Sequence, residues 1–391
     1  MTADSLTLLV LSSEFPPGPG GIGTHAYEIS RHLQGLGWDV TVVAPQDYAD
    51  PSDLAAFNAD QPFRFCSAGR NGRRLSRSMH RVTTTLSTLR ETAPDVLLAT
   101  GAASVRVAAY LPHRRPIVAV AHGPEVSMVG PAGRRLARAS FGRADAVVCV
   151  SDFVRRRFDS LGAVSPAVAV IPNGADDEMF IPAAPDRTRA FRAGIGVGDA
   201  PLLLTVGTIK ERKAQDVVVR SLPLLARRWD VHYAVIGPEL EPGRLTALAR
   251  DVGVEERVHV LGSLSRPDLV EPYSACDVFV LPSRHTAAGD YEGFGIVALE
   301  AALCECAAVV TDGSGLIEAV EPGTTALVVR EDDPTGVADA VDALLGAPDR
   351  RRAMGAAARR RALGGQTWKH VATRYDSLLR QVVTRQARCA S

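Results

Sequence analysis

Residues 277–312 read DVFVLPSRHTAAGDYEGFGIVALEAALCECAAVVTD. The stretch opens on a short apolar strand, DVFVLPS (277–283), and closes on another, AAVVTD (307–312). Between them lie a loop and a helix over 296–304, the strand–helix–strand order of a parallel sheet. Glu292 and Glu300 stand eight residues apart, and Gly293 and Gly295 flank Phe294 where loop gives way to helix. Glu292 is expected on the loop, and Glu300 inside the helix on the face returning toward it. A carboxylate accepts from two vicinal hydroxyls at once, which suits ribose or hexose recognition. The plain alternative is a surface carboxylate beside a helix of ordinary propensity.

The same rhythm extends to both sides. Strands are expected at PLLLTVGT (201–208), HYAVIG (232–237), RVHVLG (257–262) and ALVV (326–329), with helices over 214–228, 243–253, 267–275, 334–346 and 350–361. The last segment, TWKHVATRYDSLLRQVV (367–383), sets Trp368, Val371, Tyr375, Leu378, Leu379 and Val382 near one face, as a packed tail helix would. The first half repeats the pattern. A strand at 6–12 leads through the breaker-rich EFPPGPGGIG (14–23) into a helix over about 24–36 and a strand, WDVTVVA (38–44). Strands DVLLAT (95–100), PIVAVAHG (116–123), AVVCVS (146–151) and VAVIPNG (168–174) follow, with helices over 75–91 and 132–142. The expected fold class is α/β, with two Rossmann-like parallel-sheet domains. They span 1–180 and 201–365, with a connector rich in Pro, Gly, Ala and charge at 181–200 and a tail helix, 366–391, crossing back to the first domain. A ligand then belongs in the cleft between the domains, beyond the carboxyl ends of the strands.

Composition narrows the chemistry. Of 391 residues, 44 are basic and 44 acidic, a balance that argues against wholesale attraction to nucleic acid. The cysteines, at 66, 149, 276, 304, 306 and 389, form no CxxC pair, so neither a disulfide framework nor a zinc ribbon is expected. No HExxH or Cys/His ligand spacing is present, and no metal site is expected. The N-terminal apolar run is short, lacks a basic n-region and makes a poor signal peptide, and no run reaches the ~20 residues of a spanning helix. A cytoplasmic protein is expected, with peripheral contact at the inner face of the membrane as a further option. That option rests on residues 61–160, which hold 17 basic and 6 acidic residues, grouped at 70–81, 133–143 and 155–157. Such groups are either solvated helix faces or attractors for an anionic acceptor or membrane surface. Only three lysines occur, at 210, 213 and 369, against 41 arginines, so two lysines in one short loop stand out.

Glu292-Gly293-Phe294-Gly295 followed by Glu300 resembles the EX7E signature of the retaining family 4 glycosyltransferases, which have the two-domain GT-B fold. The resemblance covers almost the whole chain. Gly20 and Gly21 resemble that family's first glycine loop, His122 in AHGPE its N-domain histidine, and VGTIKERKAQD (206–216) its phosphate loop. Gly313, Ser314, Gly315 and Glu318 resemble the glycine pair and glutamate after the next strand, and the segment around Trp368 the returning helix.

The resemblance implies transfer of a hexosyl or N-acetylhexosaminyl group from a nucleoside-diphosphate sugar, with retained configuration and no metal or other cofactor. UDP is the first expectation for the donor base, with GDP and ADP open. Glu300 would bind ribose hydroxyls, Glu292 hydroxyls of the transferred sugar, and Lys213 the departing β-phosphate, whose charge must be neutralised for the C1–O bond to break. Gly21, Thr208, Arg212, Arg284, Gly293, Phe294 and Gly295 complete the expected donor side; His122 would meet the donor sugar or β-phosphate. Gly20, His25 and Glu125 are expected on the side of the acceptor, a small molecule, saccharide or lipid-linked compound. One departure matters: Gly207-Thr208 stands where the family commonly has Gly-Arg, and Ala214 where a glycine commonly follows the lysine. Arg212 or Lys210 then has to supply the missing cation. Competing readings are a sugar-nucleotide epimerase or hydrolase of related fold, and a non-catalytic sugar-nucleotide-binding protein.

Overall fold

The computed structural model describes residues 5–18, 20–46, 50–69, 74–127 and 130–390. Pro19 of the glycine loop and residues 70–73 of the first basic group lie outside them. In chain order the elements are β1 (Thr7–Ser12), α1 (Gly21–Gly35), β2 (Asp39–Ala44), α2 (Pro51–Ala59), β3 (Arg64–Ser67), α3 (Arg74–Thr92), β4 (Val96–Thr100), α4 (Ala102–Tyr110), β5 (Ile117–Ala121), α5 (Pro124–Ser127), α6 (Pro131–Phe141), β6 (Ala146–Cys149), α7 (Asp152–Leu161) and β7 (Val168–Val170). There follow α8 (Pro185–Gly194), β8 (Leu202–Val206), α9 (Gln215–Leu225), β9 (His232–Ile236), α10 (Arg244–Asp251), β10 (Val258–Val260), α11 (Val270–Ala275), β11 (Val278–Leu281), α12 (Ile296–Leu303), β12 (Ala308–Thr311), β13 (Ala326–Val329), α13 (Pro334–Leu345), α14 (Pro348–Leu363) and α15 (Trp368–Ala390).

The chain divides into two compact units, 1–173 with 368–391, and 174–367. The first holds a parallel sheet in the order β3-β2-β1-β4-β5-β6-β7, the second a parallel sheet in the order β10-β9-β8-β11-β12-β13. Strands this apolar need cover on both faces, and the alternating helices supply it. Leu203, Tyr233, Val280 and Val309 are wholly enclosed in the second unit, packed with Val218 and Leu222 of α9 and Val337, Val341 and Leu344 of α13. Each such aliphatic side chain contributes about 1.5–3 kcal/mol relative to exposure. In the first unit, α15 lies along α1. The Trp38 indole donates to Asp376 at 2.7 Å, and Trp368, Tyr375 and Leu379 are fully buried.

Strand order reverses between β1 and β4 in one sheet and between β8 and β11 in the other. At such a switch point the loops leaving the two strands diverge and open a crevice. Several strands end sooner than their apolar runs. β5 stops at Ala121 because Glu125 takes the next two main-chain N–H groups, of His122 and Gly123. β6 stops at Cys149 because Ser151 caps α7, accepting from Val154 N at 3.0 Å. β7 stops before Pro172, which has no N–H for the ladder. The 181–200 segment carries α8 and packs on its own unit, Arg192 pairing with Asp277 at 2.6 Å. Among the described residues no helix is long and apolar enough to cross a membrane.

Candidate functional site

In the second unit, the loops at the switch point are 207–214 after β8 and 282–295 after β11. The first turns at Gly207 (φ +137°), whose N–H bonds Ile236 O at 2.8 Å. Gly237 faces it so closely that a Cβ there would sit 2.3 Å from Gly207 O. The chain then winds through a single tight turn, Glu211–Lys213, and Ala214 takes a left-handed conformation (φ +53°) before α9 begins. That turn folds Lys213 back over the loop, its Cε 3.1 Å from where a Cβ on Gly207 would stand. Thr208 is fixed through its carbonyl, which accepts from Gln215 at 3.2 Å.

The second loop meets the first at main-chain level, Arg284 N donating to Arg212 O at 2.8 Å. Its carboxylates then meet the cations. Lys213 Nζ lies 2.8 Å from Glu292 Oε2, and Arg212 Nη1 donates to the same oxygen. Arg212 Nε is 3.4 Å from Asp290 Oδ2, and Lys210 Nζ 3.2 Å from that atom. Burial pushes the Glu292 carboxyl up, but Arg212 and Lys213 outweigh it and hold it down at about 2. Burial lowers the Lys213 ammonium, opposed by Glu292 and reinforced by the cations of Arg212 and Lys210. Three cations against two carboxylates leave this half-enclosed spot with a positive excess, a setting that favours an anion. Gly295 (φ +91°) then turns the chain into α12, where a Cβ would come within 2.6 Å of Leu316 Cδ1. Phe294 is buried beneath this turn, and Glu292 O accepts from Gly315 N at 3.0 Å.

Glu300 lies on the buried face of α12, where Tyr273 OH donates to it at 2.9 Å and Arg266 approaches to 3.5 Å. The guanidinium of Arg284 is held by two carboxylates, Asp216 at 2.6 Å and Asp332 at 2.7 Å. Of the residues expected on the donor side, Lys213, Arg212 and Glu292 therefore form one cluster, with Thr208 contributing main chain beside it and the side chains of Arg284 and Glu300 each held by two other partners.

Gly20, Gly21, His25, His122 and Glu125 belong to the first unit. Gly20 and Gly21 open α1 without a side-chain cap and without an acid in the helix's own first turn, and the carboxylate of Glu14 stands at this end instead. Gly20 holds a positive φ (+147°) that favours glycine and leaves room for Glu14, whose Oε2 would lie 2.2 Å from a Cβ. His122 follows β5, its Nε2 2.6 Å from Thr100 Oγ1 at the end of β4. Burial depresses its pKa to about 3 and keeps it neutral. His25 is fully enclosed: its Nε2 meets Tyr375 OH at 2.9 Å and its ring packs edge-on to His122, 4.9 Å between centroids. Burial, with His122 beside it, lowers its pKa, and as folded the ring offers no surface to a ligand. Glu125 turns back on the main chain, accepting from Gly123 N at 2.9 Å and His122 N at 3.1 Å. Burial lifts its carboxyl to about 7 against the pull of those bonds.

Sequence reasoning missed Asp290, Tyr273, Arg266 and Thr100. Asp290, two residues before Glu292, was visible as a second carboxylate in the same loop, whereas Tyr273 and Arg266 reach Glu300 from outside any motif.

The family described as Glycosyltransferase Family 4 matches residues 19–179, and that described as Glycosyl transferases group 1 matches residues 186–361. The chain is 36% identical over 271 residues to a GDP-mannose-dependent alpha-(1-6)-phosphatidylinositol monomannoside mannosyltransferase of Mycolicibacterium smegmatis, covering 68% of this chain and 70% of that protein. It is 32% identical over 390 residues to the like-named protein of Mycobacterium tuberculosis, covering 95% of each. Among solved structures, sucrose-phosphate synthase from Thermosynechococcus elongatus has the same fold, with a TM-score of 0.81 at 21% identity over 99% of this chain and 100% of that one.

Proposed function

This chain belongs to the family 4 glycosyltransferases, of GT-B fold, and on that premise we propose that it transfers mannose from GDP-mannose to a hydroxyl of an inositol-containing phospholipid glycan. It is an enzyme that moves a sugar from a nucleoside-diphosphate sugar to an acceptor hydroxyl. GDP takes precedence over UDP because the full-length relative is GDP-mannose-dependent. The acceptor class has the same support, and the exposed arginines 134, 135 and 138 of α6 and 156 and 157 of α7 are suited to an anionic headgroup or peripheral membrane contact.

The observation that carries the reading is the cluster at the end of β8 and β11, where Lys213 and Arg212 converge on Glu292. Lys213 stabilises the β-phosphate as the C1–O bond breaks, and Arg212 supplies the cation that Thr208 lacks. Glu292, held ionised, accepts from the hydroxyls of the sugar, and Glu300 from those of the ribose. Gly293, Phe294 and Gly295 shape the turn between these carboxylates, and Gly21 offers main-chain N–H groups. Arg284 supports the donor side through its main-chain link to Arg212. A histidine neutral down to about pH 3 is a feeble base, so His122 serves as a hydrogen-bonding contact to the donor sugar. The acceptor proton then goes to the leaving phosphate, in a front-face reaction that retains the anomeric configuration. Gly20 lies on the acceptor side, with Glu125 and His25 acting from behind it.

The test is turnover of GDP-, UDP- and ADP-sugars with and without phosphatidylinositol monomannoside. Acceptor-dependent release of GDP from GDP-mannose, with a new α-linkage, is expected. Acceptor-independent hydrolysis, or donor binding without turnover, would favour the hydrolase or binding-protein reading. Sedimentation with anionic liposomes at low and moderate salt tests the membrane contact, which absence of binding at both would exclude.

A further inference from the structure

Arg212 is gripped from two sides. Its Nη1 edge reaches Glu292, while its Nε edge faces Asp290 at 3.4 Å as an ion pair in which the buried Nε makes no hydrogen bond. Asp290 sits on a rung that cannot drift far. Its N–H is taken by Thr286 Oγ1 at 3.0 Å, its carbonyl by Thr286 N at 3.0 Å, and Gly289 N closes the tip onto Thr286 O at 2.9 Å. The base of the loop is tied down as well, through Arg284 to Asp216 and through His285 to Glu331. Asp290 is also the carboxylate nearest Lys210, the outermost of the three cations.

A guanidinium is a planar fork, so holding one edge orients the other. Resting on the donor reading above, we propose that Asp290 is a positioning residue. It fixes Arg212 by its Nε side so that the Nη side stands beside Lys213 at the diphosphate, which makes good the cation missing at Thr208. An unclamped arginine on the three-residue turn 211–213 would lose much rotamer entropy on meeting a phosphate; one already clamped loses less. The carboxylate also carries a cost, because its charge opposes the incoming anion. The sign of its net effect is therefore the test.

The experiment is calorimetric titration of the full chain with whichever of GDP, UDP and ADP binds tightest, and with the corresponding monophosphate. Asp290→Ala is expected to weaken the diphosphate about tenfold and the monophosphate less than about twofold, as loss of the one ion pair that holds the Nε side of the cation would do. Asp290→Asn keeps the side-chain shape but loses the charge that faces Nε, and is expected to fall with Asp290→Ala. Arg212→Lys keeps charge but loses the fork, and is expected to behave as Asp290→Ala does. Adding Thr208→Arg to Asp290→Ala restores most of the loss. A diphosphate affinity unchanged or raised in Asp290→Ala overturns the proposal, as does an equal fall for the monophosphate, which marks a merely structural role. Failure of the wild-type chain to bind any of the three diphosphates overturns the donor reading itself.

Discussion

The ammonium of Lys213 lies 2.8 Å from the carboxylate of Glu292, 79 residues away in the chain. The pair joins the two loops that leave β8 and β11 at the reversal of strand order. Replacing Lys213 by Ala removes the cation that meets charge developing on the leaving phosphate. Donor turnover should fall by about 10²–10³, with donor affinity reduced far less. Steady-state kinetics with GDP-mannose checks this; a fall in affinity alone would assign Lys213 to ground-state binding.

Glu300 and Tyr273 form the second anchor, 2.9 Å apart. If Glu300 accepts from ribose hydroxyls, the 2′-deoxy donor should bind wild type about tenfold less tightly than the parent, and Glu300→Ala should bind both alike. Tyr273→Phe tests the support beneath it, and should raise the donor KM without abolishing that discrimination. A deoxy penalty that survives in Glu300→Ala assigns the hydroxyls elsewhere.

The first unit should show its own pH dependence. The unfolded chain ionises Glu125 from about 4.5 upward, while the folded carboxyl stays protonated to about 7. The contribution of Glu125 is therefore full below 4.5, falls as pH rises toward 7 and levels off above it, a loss of about 3 kcal/mol. His122 acts on the other side. The unfolded ring takes its proton near 6.5 and the folded ring only near 3, so stability also falls as pH drops through that interval. In denaturant titration, Glu125→Gln should gain on wild type by up to about 3 kcal/mol between pH 4.5 and 7, because the Glu125 loss is removed while the rise due to His122 stays. A parallel profile would show that Glu125 is ionised in the fold.

Gly237 lets two turns touch. With φ +149° and Gly207 O 2.3 Å from a would-be Cβ, Gly237→Ala must push the β8 loop outward. A loss of about 1–3 kcal/mol in stability is expected, with weakened diphosphate binding. Gly313 is also left-handed, but its nearest neighbour is a glutamate oxygen at 3.4 Å, so Gly313→Ala should spare diphosphate binding. Thermal unfolding and titration of both variants decide it; equal effects on binding would remove the special place of Gly237.

Both parallel sheets were legible because buried strands and apolar helix stripes repeat at fixed periods. Elements without such a stripe escaped. α2 buries no residue, β3 is a four-residue edge strand with exposed ends, and α4 buries only Ser104, Val105 and Ala108. α7 had a readable cap in Ser151 and a left-handed stop in Gly162. Glu292, Glu300 and Lys213 stood out by motif spacing, but their partners did not. Asp290 meets Lys210 across 80 residues, and His25 is enclosed by Tyr375, 350 residues on, a burial no local pattern encodes.

The most direct measurement is a crystal structure of the chain with GDP-mannose bound. Lys213 Nζ should lie within hydrogen-bonding distance of a β-phosphate oxygen with Arg212 beside it, Glu292 on the mannose hydroxyls and Glu300 on the ribose. A nucleotide sugar seated away from Lys213, or with its diphosphate met by neither Lys213 nor Arg212, would contradict this assignment.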